Sequence, residues 1–169
     1  MQRAPDVLWL SGESRPELLV ARARQLAQGG AHVIVGTFSM LAEASLRQLL
    51  GEDTAHLRLV DAARLDAGQV VQWAGPNAPV QVLVAGYGPH PAAEEQLLKR
   101  LDGPPAGPIS VEFNASLDDP ELKAIVTPAL RKLLETIGVQ PGEPIQHPMI
   151  SRAVANARAA RHKPTGSQR

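Results

Sequence analysis

A chain of 169 residues with 44% hydrophobic and 20% charged content is long enough to bury one core, and one domain plus a tail is the expectation. Aromatic residues make up only 3%, which leaves the core to Leu, Val, Ile and Ala and disfavours a surface that stacks bases on rings; with no Cys there is no disulfide, thiolate nucleophile or Cys-ligated zinc. The formal net charge of zero hides an asymmetry, because after Glu143 there is no acid but five cations, Arg152, Arg158, Arg161, Lys163 and Arg169, which leaves residues 1–143 with a charge of −5.

Five short runs rich in Val, Leu and Ile, at 7–10, 32–35, 57–60, 80–85 and 109–113, alternate with helical patterns. None alternates cleanly with polar residues, as expected when helices cover both faces of a strand. The order predicts a three-layer α/β domain around a mainly parallel, five-stranded sheet. After the first strand, residues 16–28 place Leu18, Leu19, Ala23 and Leu26 near helical spacing, with Pro16 in the first turn and Gly29-Gly30 as the stop. A second helix starts at Ser39, buries Leu41, Ala44, Leu46, Leu49 and Leu50, pairs Glu43 with Arg47 one turn on, and closes at Gly51. A weaker helical segment covers 67–74, and another covers 91–101 with Leu97, Leu98 and Leu101 inward. Asp119 is expected to cap a helix over 120–137 that Pro128 kinks or divides.

Pro141, Pro144 and Pro148 predict an extended linker, so the domain is expected to span 1–140, with a linker and a basic C-terminal helix and tail over 141–169. Within that tail 149–160 is Ala-rich and helix-compatible, whereas 162–169 has the composition of a disordered end. Asp6, Glu13 and Glu17 interrupt the Arg residues that a transit peptide would keep unopposed, and no stretch approaches the roughly 20 apolar residues of a membrane span. An intracellular protein, soluble or peripheral, is expected, with an organellar assembly left open.

In a parallel sheet flanked by helices, ligands sit at the carboxyl ends of the strands. There the chain reads Ser11-Gly12-Glu13, Gly36-Thr37-Phe38-Ser39, Asp61-Ala62-Ala63-Arg64, Gly86-Tyr87-Gly88 and Asn114-Ala115-Ser116. Four of these places, Gly29-Gly30-Ala31-His32-Val33-Ile34-Val35-Gly36-Thr37, Leu57 to Arg64, Gln81-Val82-Leu83-Val84 with Ala85-Gly86-Tyr87-Gly88-Pro89, and Pro108-Ile109-Ser110-Val111, together resemble the first RecA-like domain of DEAD-box and related superfamily 2 helicases over roughly residues 7–113. The resemblance implies a RecA/Rossmann-like fold, with Thr37 in a strand end that contacts the RNA backbone and Asp61 in the place of the first acid of Asp-Glu-Ala-Asp.

The departures from that family remove its chemistry. The phosphate loop ending in Gly-Lys-Thr or Gly-Lys-Ser has no counterpart, Ala62 and Arg64 stand where the second and fourth acids would be, and Phe38-Ser39-Met40 replaces Pro-Gly-Arg. A methyl group cannot orient water, and phosphoryl transfer consists almost wholly of positioning and electrostatic stabilisation. The resemblance therefore implies a catalytically inactive helicase-like domain with no cofactor, retained as a structural or docking subunit of a larger protein or ribonucleoprotein assembly.

The remaining features have simple readings. His32, His56, His90, His147 and His162 are scattered without metal-ligand spacing. Gly86-Tyr87-Gly88 suits a tight strand-to-helix turn, Asp118-Asp119 a helix start, and Ser14 a cap. Gly36, Thr37, Asp61, Gly86 and Gly88 remain weak candidates for a nucleotide or phosphate ligand, in the alternative of another doubly wound enzyme. Arg152, Arg158, Arg161 and Lys163 are the candidate contacts to protein partners, RNA or anionic lipid, with an RNA-binding module as a further alternative.

Overall fold

The computed structural model describes residues 1–9, 15–102, 108–117, 119, 122, 127–138, 145 and 147–161, apart from the Arg15 and Arg161 side chains. In chain order the elements are β1 (Gln2–Arg3), β2 (Val7–Trp9), α1 (Arg15–Gln28), β3 (His32–Thr37), α2 (Met40–Leu50), β4 (Leu57–Asp61), α3 (Ala67–Ala74), β5 (Val80–Ala85), α4 (Pro91–Leu101), β6 (Ile109–Ser116), α5 (Pro128–Ile137) and α6 (Pro148–Arg161). Every strand pairing is parallel, in the order β1-β6-β5-β3-β4, and β2 also pairs with β6. Because Gln2 sits opposite Ser110 and Val7 opposite Asn114, β1 and β2 run along β6 as one edge strand interrupted at residues 4–6. The architecture is three-layer α/β and fits the Rossmann/RecA-like class.

Burial on both faces explains the near-continuous apolar strands. Val33, Val35, Leu59 and Leu83 pack with Leu19, Val20, Ala23 and Leu46 of α1 and α2. Alternate residues Ile34, Val82, Val84, Val111 and Phe113 meet Leu65, Val70, Leu97 and Leu101 on the α3 and α4 side. A third cluster lies at the β2–β6 edge, where Leu8, Ala115, Leu117, Leu122 and Leu134 pack with Ile145, Ile150 and Val154. Residues beyond 140 thus share a core with the sheet: Ile145 bridges Leu8 antiparallel, and α6 lies on its own chain through a stripe spaced four residues apart.

Several boundaries move for identifiable reasons. The second strand run extends through Gly36 and Thr37 because both pair with β4, and the last extends to Ser116 because β2 pairs with residues 114–116. The expected helix over 120–137 does not run unbroken: α5 starts at Pro128, whose missing N–H suits a first position, and the Thr127 hydroxyl accepts from Leu130 N–H at 3.1 Å. Residues 120, 121 and 123–126 lie outside the described residues, as does Leu10. Leu41, expected inward, is 85% exposed beside Met40 at 87%. Arg47 turns from Glu43 to Asp53, and Arg24 of α1 donates to Leu49 O at 2.6 Å at the end of α2.

β4 is an edge strand, yet its outward carbonyls are occupied. Leu57 O accepts from Thr54 N–H at 2.8 Å, Leu59 O from Arg47 at 3.4 Å and Asp61 O from Arg64 N–H at 3.1 Å, while Leu59 N–H donates to Asp53 Oδ1 at 3.1 Å. These bonds leave little for an intruding strand to pair with. Burial pulls the Asp53 carboxyl upward, but the bond from Arg47, the Leu59 amide and the charges of Arg47 and Arg58 outweigh it and hold it below its ordinary value. A carboxyl held low in the folded state adds stability that is complete above about pH 4, the ordinary Asp value, and is lost as pH falls through the lower folded value. Asp53→Ala is expected to cost about 1 kcal/mol at neutral pH and to flatten the acid limb of stability, measured by urea unfolding between pH 3 and pH 7.

Candidate functional site

The carboxyl edge of the sheet is where the ends of β2, β3, β4, β5 and β6 gather the residues that could act on a ligand. Gly36 and Thr37 sit inside β3, and Thr37 is 2% exposed with its hydroxyl accepting from Ser39 N–H at 3.1 Å and its carbonyl from Ala62 N–H at 2.9 Å. Both are paired backbone rather than an open loop. Asp61 accepts from Ala63 N–H at 2.9 Å and lies 3.8 Å from Arg64, so its carboxylate shapes its own turn. Arg100 of α4 pins that turn by donating to Ala62 O at 2.9 Å and Leu65 O at 3.0 Å. Ala62 itself is fully buried among Ile34, Leu65 and Val70. A side chain there points into the core, so this position offers no place for an acid that orients a water.

At the end of β5, Gly86 has φ +87° and donates to Asn114 O, a left-handed conformation that suits glycine. Gly88 stands where an added Cβ would lie 3.1 Å from Ala93 Cβ and 3.5 Å from Phe38. Its N–H, the donor that could have met a phosphate, is taken by Glu94 Oε2 at 3.1 Å. Glu94 lies in the first turn of α4, where an anion is favoured, and is 2% exposed. Arg158 reaches it from α6 with both guanidinium nitrogens, Nη1 to Oε1 at 2.9 Å and Nη2 to Oε2, and its Cζ is 3.7 Å from the centre of the Tyr87 ring. Tyr87 donates its hydroxyl to Asp6 Oδ2 at 2.7 Å, and Asp6 meets Arg3 at 3.1 Å. One polar network therefore joins the edge strand, the β5 turn, α4 and α6.

Burial first, then the charge of Asp6 and the bond to it, push the Tyr87 phenol far above its ordinary value, against the opposing pull of Arg158. The folded state holds this proton more tightly than the unfolded chain, so stability falls as pH rises past about 10. Ultraviolet titration is expected to show no Tyr87 phenolate before unfolding, and Tyr87→Phe to cost about 0.5–1.5 kcal/mol in urea unfolding.

The structure brings Thr37 and Gly88 together on one small cavity between the ends of β3 and β5, although the Gly88 N–H is taken by Glu94, whereas Asp61 lies apart at the β4 turn and Gly36 is paired strand backbone. Of the basic contacts, Arg152 is exposed, but Arg158 is 6% exposed and faces inward, because α6 folds back onto its own chain. Lys163 and the Arg161 side chain lie outside the described residues. Glu94 and Glu112 had no place in the sequence reading, Asp6 entered it only as an acid among the early Arg residues, and Asn114 and Ser116, in a row with Glu112 on one face of β6, only as strand-end residues. That row is buried, with Arg22 2.8 Å from Glu112, and the atoms Asn114 Oδ1 and Trp9 Nε1 find no partner among the described residues. His32 and His56, far apart in sequence, bring their rings to 4.8 Å beside Trp73. Among the described residues no group of three His, Asp or Glu side chains is placed to hold a metal ion, and no helix is long and apolar enough to cross a membrane.

Two cavities adjoin this edge. A small one of about 250 Å³ opens between the ends of β3 and β5, against Thr37, Phe38, Tyr87, Gly88 and Pro89. A larger cleft of about 670 Å³ lies between β4 and α3, lined among others by Arg58, Asp61, Arg64, Gln69, Gln72 and Trp73.

No known protein-family profile matches the chain. It is similar to curated proteins described as protein translocase subunit SecA: 25% identical over 178 residues to that of Nitratidesulfovibrio vulgaris, covering 90% of this chain and 21% of the relative. The Sulfurimonas denitrificans protein is 23% identical over 177 residues, with the same shares covered. A shorter match, 33% identical over 60 residues, to the Legionella pneumophila protein covers 36% of this chain and 7% of the relative. The chain thus spans about a fifth of the length of the first two relatives.

Proposed function

We propose that this chain is a catalytically inactive, RecA-like docking domain that acts as a structural subunit, or as one region, of a larger protein assembly, in the setting of protein translocation. The single observation that carries the reading is the Gly88 amide at the end of β5, which is committed to Glu94 and locked by Arg158. An edge already filled with its own anion and that anion's counter-ion has no cradle to offer a phosphate. The buried Ala62 supports the same reading, since a water-orienting acid would have to stand in the core. Similarity to protein translocase subunit SecA, confined to about a fifth of that protein's length, supports a part within a larger machine. The exposed Met40 and Leu41 at the start of α2 and the exposed Arg152 are the surfaces offered to protein partners, with RNA or anionic lipid as further ligands for the basic helix.

The native mass of the epitope-tagged full chain in extracts of its own source tests this. A stable species several times the mass of the chain, with reproducible partner stoichiometry, is expected; a monomer at every salt concentration contradicts the reading. The β4–α3 cleft favours a second reading, a small-molecule-binding α/β protein, because its volume falls in the range of ligand sites and Gln69 and Gln72 line it. A metabolite that protects Trp73 from quenching would support it.

A further inference from the structure

We propose that Tyr87, Glu94 and Asp6 form a guanidinium-binding pocket, a site for an arginine side chain that is filled in this chain by Arg158 of α6. Four features of the cluster are what such a ligand requires. The Glu94 carboxylate is met by both nitrogens of one guanidinium, the fork-to-fork geometry that a planar cation alone can complete. Gly88 N–H at 3.1 Å fixes the plane of that carboxylate from the other side. The Tyr87 ring lies 3.7 Å from Cζ, which adds a stacking face that an ammonium uses poorly. Asp6, joined to the Tyr87 hydroxyl at 2.7 Å, orients that ring and supplies a second negative charge behind it.

The pocket also solves a problem of register. Among the described residues the apolar contacts of α6 in this core are Ile150 and Val154, one turn apart, and a slide by one turn would put Arg158 where Val154 stands. A buried ion pair contributes little net stability over apolar residues of the same size, but it tolerates only one alignment. Arg158, at the third place of the same stripe, supplies that alignment. The seat of the C-terminal helix and the shape of the β5 turn are thereby tied together through one carboxylate, whatever the edge binds.

The site is separable from the helix that fills it, and this gives the test. In full-length Arg158→Ala the vacated pocket takes up free methylguanidinium with a millimolar dissociation constant, the range set by so few ligand atoms. The unfolding temperature is expected to rise with the logarithm of concentration above that constant, by about 3–6 °C at tenfold its value. Methylammonium at equal ionic strength gives no rise, nor does methylguanidinium with wild type or with Arg158→Ala combined with Glu94→Gln. No rise in Arg158→Ala, or an equal rise with methylammonium, overturns the proposal. Should Arg158→Ala fail to fold, nitrogen-resolved NMR of the wild-type arginine side chains decides: slow rotation with resolved Nη protons for Arg158 supports the pocket, and free rotation overturns it.

Discussion

Replacing Glu94 by Ala lowers the stability of the folded chain by about 3–5 kcal/mol, the loss expected when one member of a buried ion pair is removed. Both side chains are almost wholly enclosed, Arg158 at 7% and Glu94 at 3% exposure, so water cannot replace the missing partner. The same variant frees the Gly88 amide and removes the anion at the start of α4, which adds to the loss. The double variant Glu94→Leu with Arg158→Met restores most of it, because two apolar side chains of similar size need no counter-charge. Urea unfolding of the two single variants and the double variant measures the coupling directly. By contrast Arg3 and Asp6, with Arg3 at 40% exposure, form a pair whose removal is expected to cost no more than about 1 kcal/mol. A Glu94→Ala loss as small as that would mean that α6 is not held through Arg158.

The second large effect is expected at Ala62. Ala62→Glu inserts a carboxylate among Ile34, Leu65 and Val70, where the nearby Arg100 is already committed to the Ala62 and Leu65 carbonyls, and costs about 4 kcal/mol or prevents folding. It gives no ATP hydrolysis, because position 62 faces the core and not the strand-end crevice. Arg64→Glu, two residues on and 86% exposed, is expected to change stability by no more than about 0.5 kcal/mol and likewise to give no hydrolysis. Phosphate release and urea unfolding on both variants check the pair. Hydrolysis by either would mean that this turn retains an active-site geometry.

These two positions mark how far the sequence was readable. The parallel sheet was legible because strands buried on both faces are apolar throughout, and Val82, Leu83 and Val84 serve opposite helix layers without interruption. The start of α2 was legible as well, with Ser39 accepting from Ala42 N–H. What escaped was tertiary. Ala62 reads as a lost catalytic acid only while its direction is unknown; the Ala62 N–H bond to Thr37 O and the two Arg100 bonds turn it inward. Arg158 reads as one of five tail cations because composition cannot show a partner 64 residues away. The spacing of Ile150, Val154 and Arg158 at four residues was the available signal, since a cation in line with two buried apolar residues must either end the buried stripe or be paired within it. β1 was invisible because two residues have no periodicity, and only pairing with Ser110 and Val111 defines it.

The anion site at the sheet edge is filled from within, so nucleotide binding is the measurement that bears on it most directly. Titration calorimetry of the full chain with ATP and Mg²⁺, carried to about 1 mM, is expected to give no saturable heat, since even that concentration would report a complex worth only about 4 kcal/mol. A saturable one-site isotherm would contradict it.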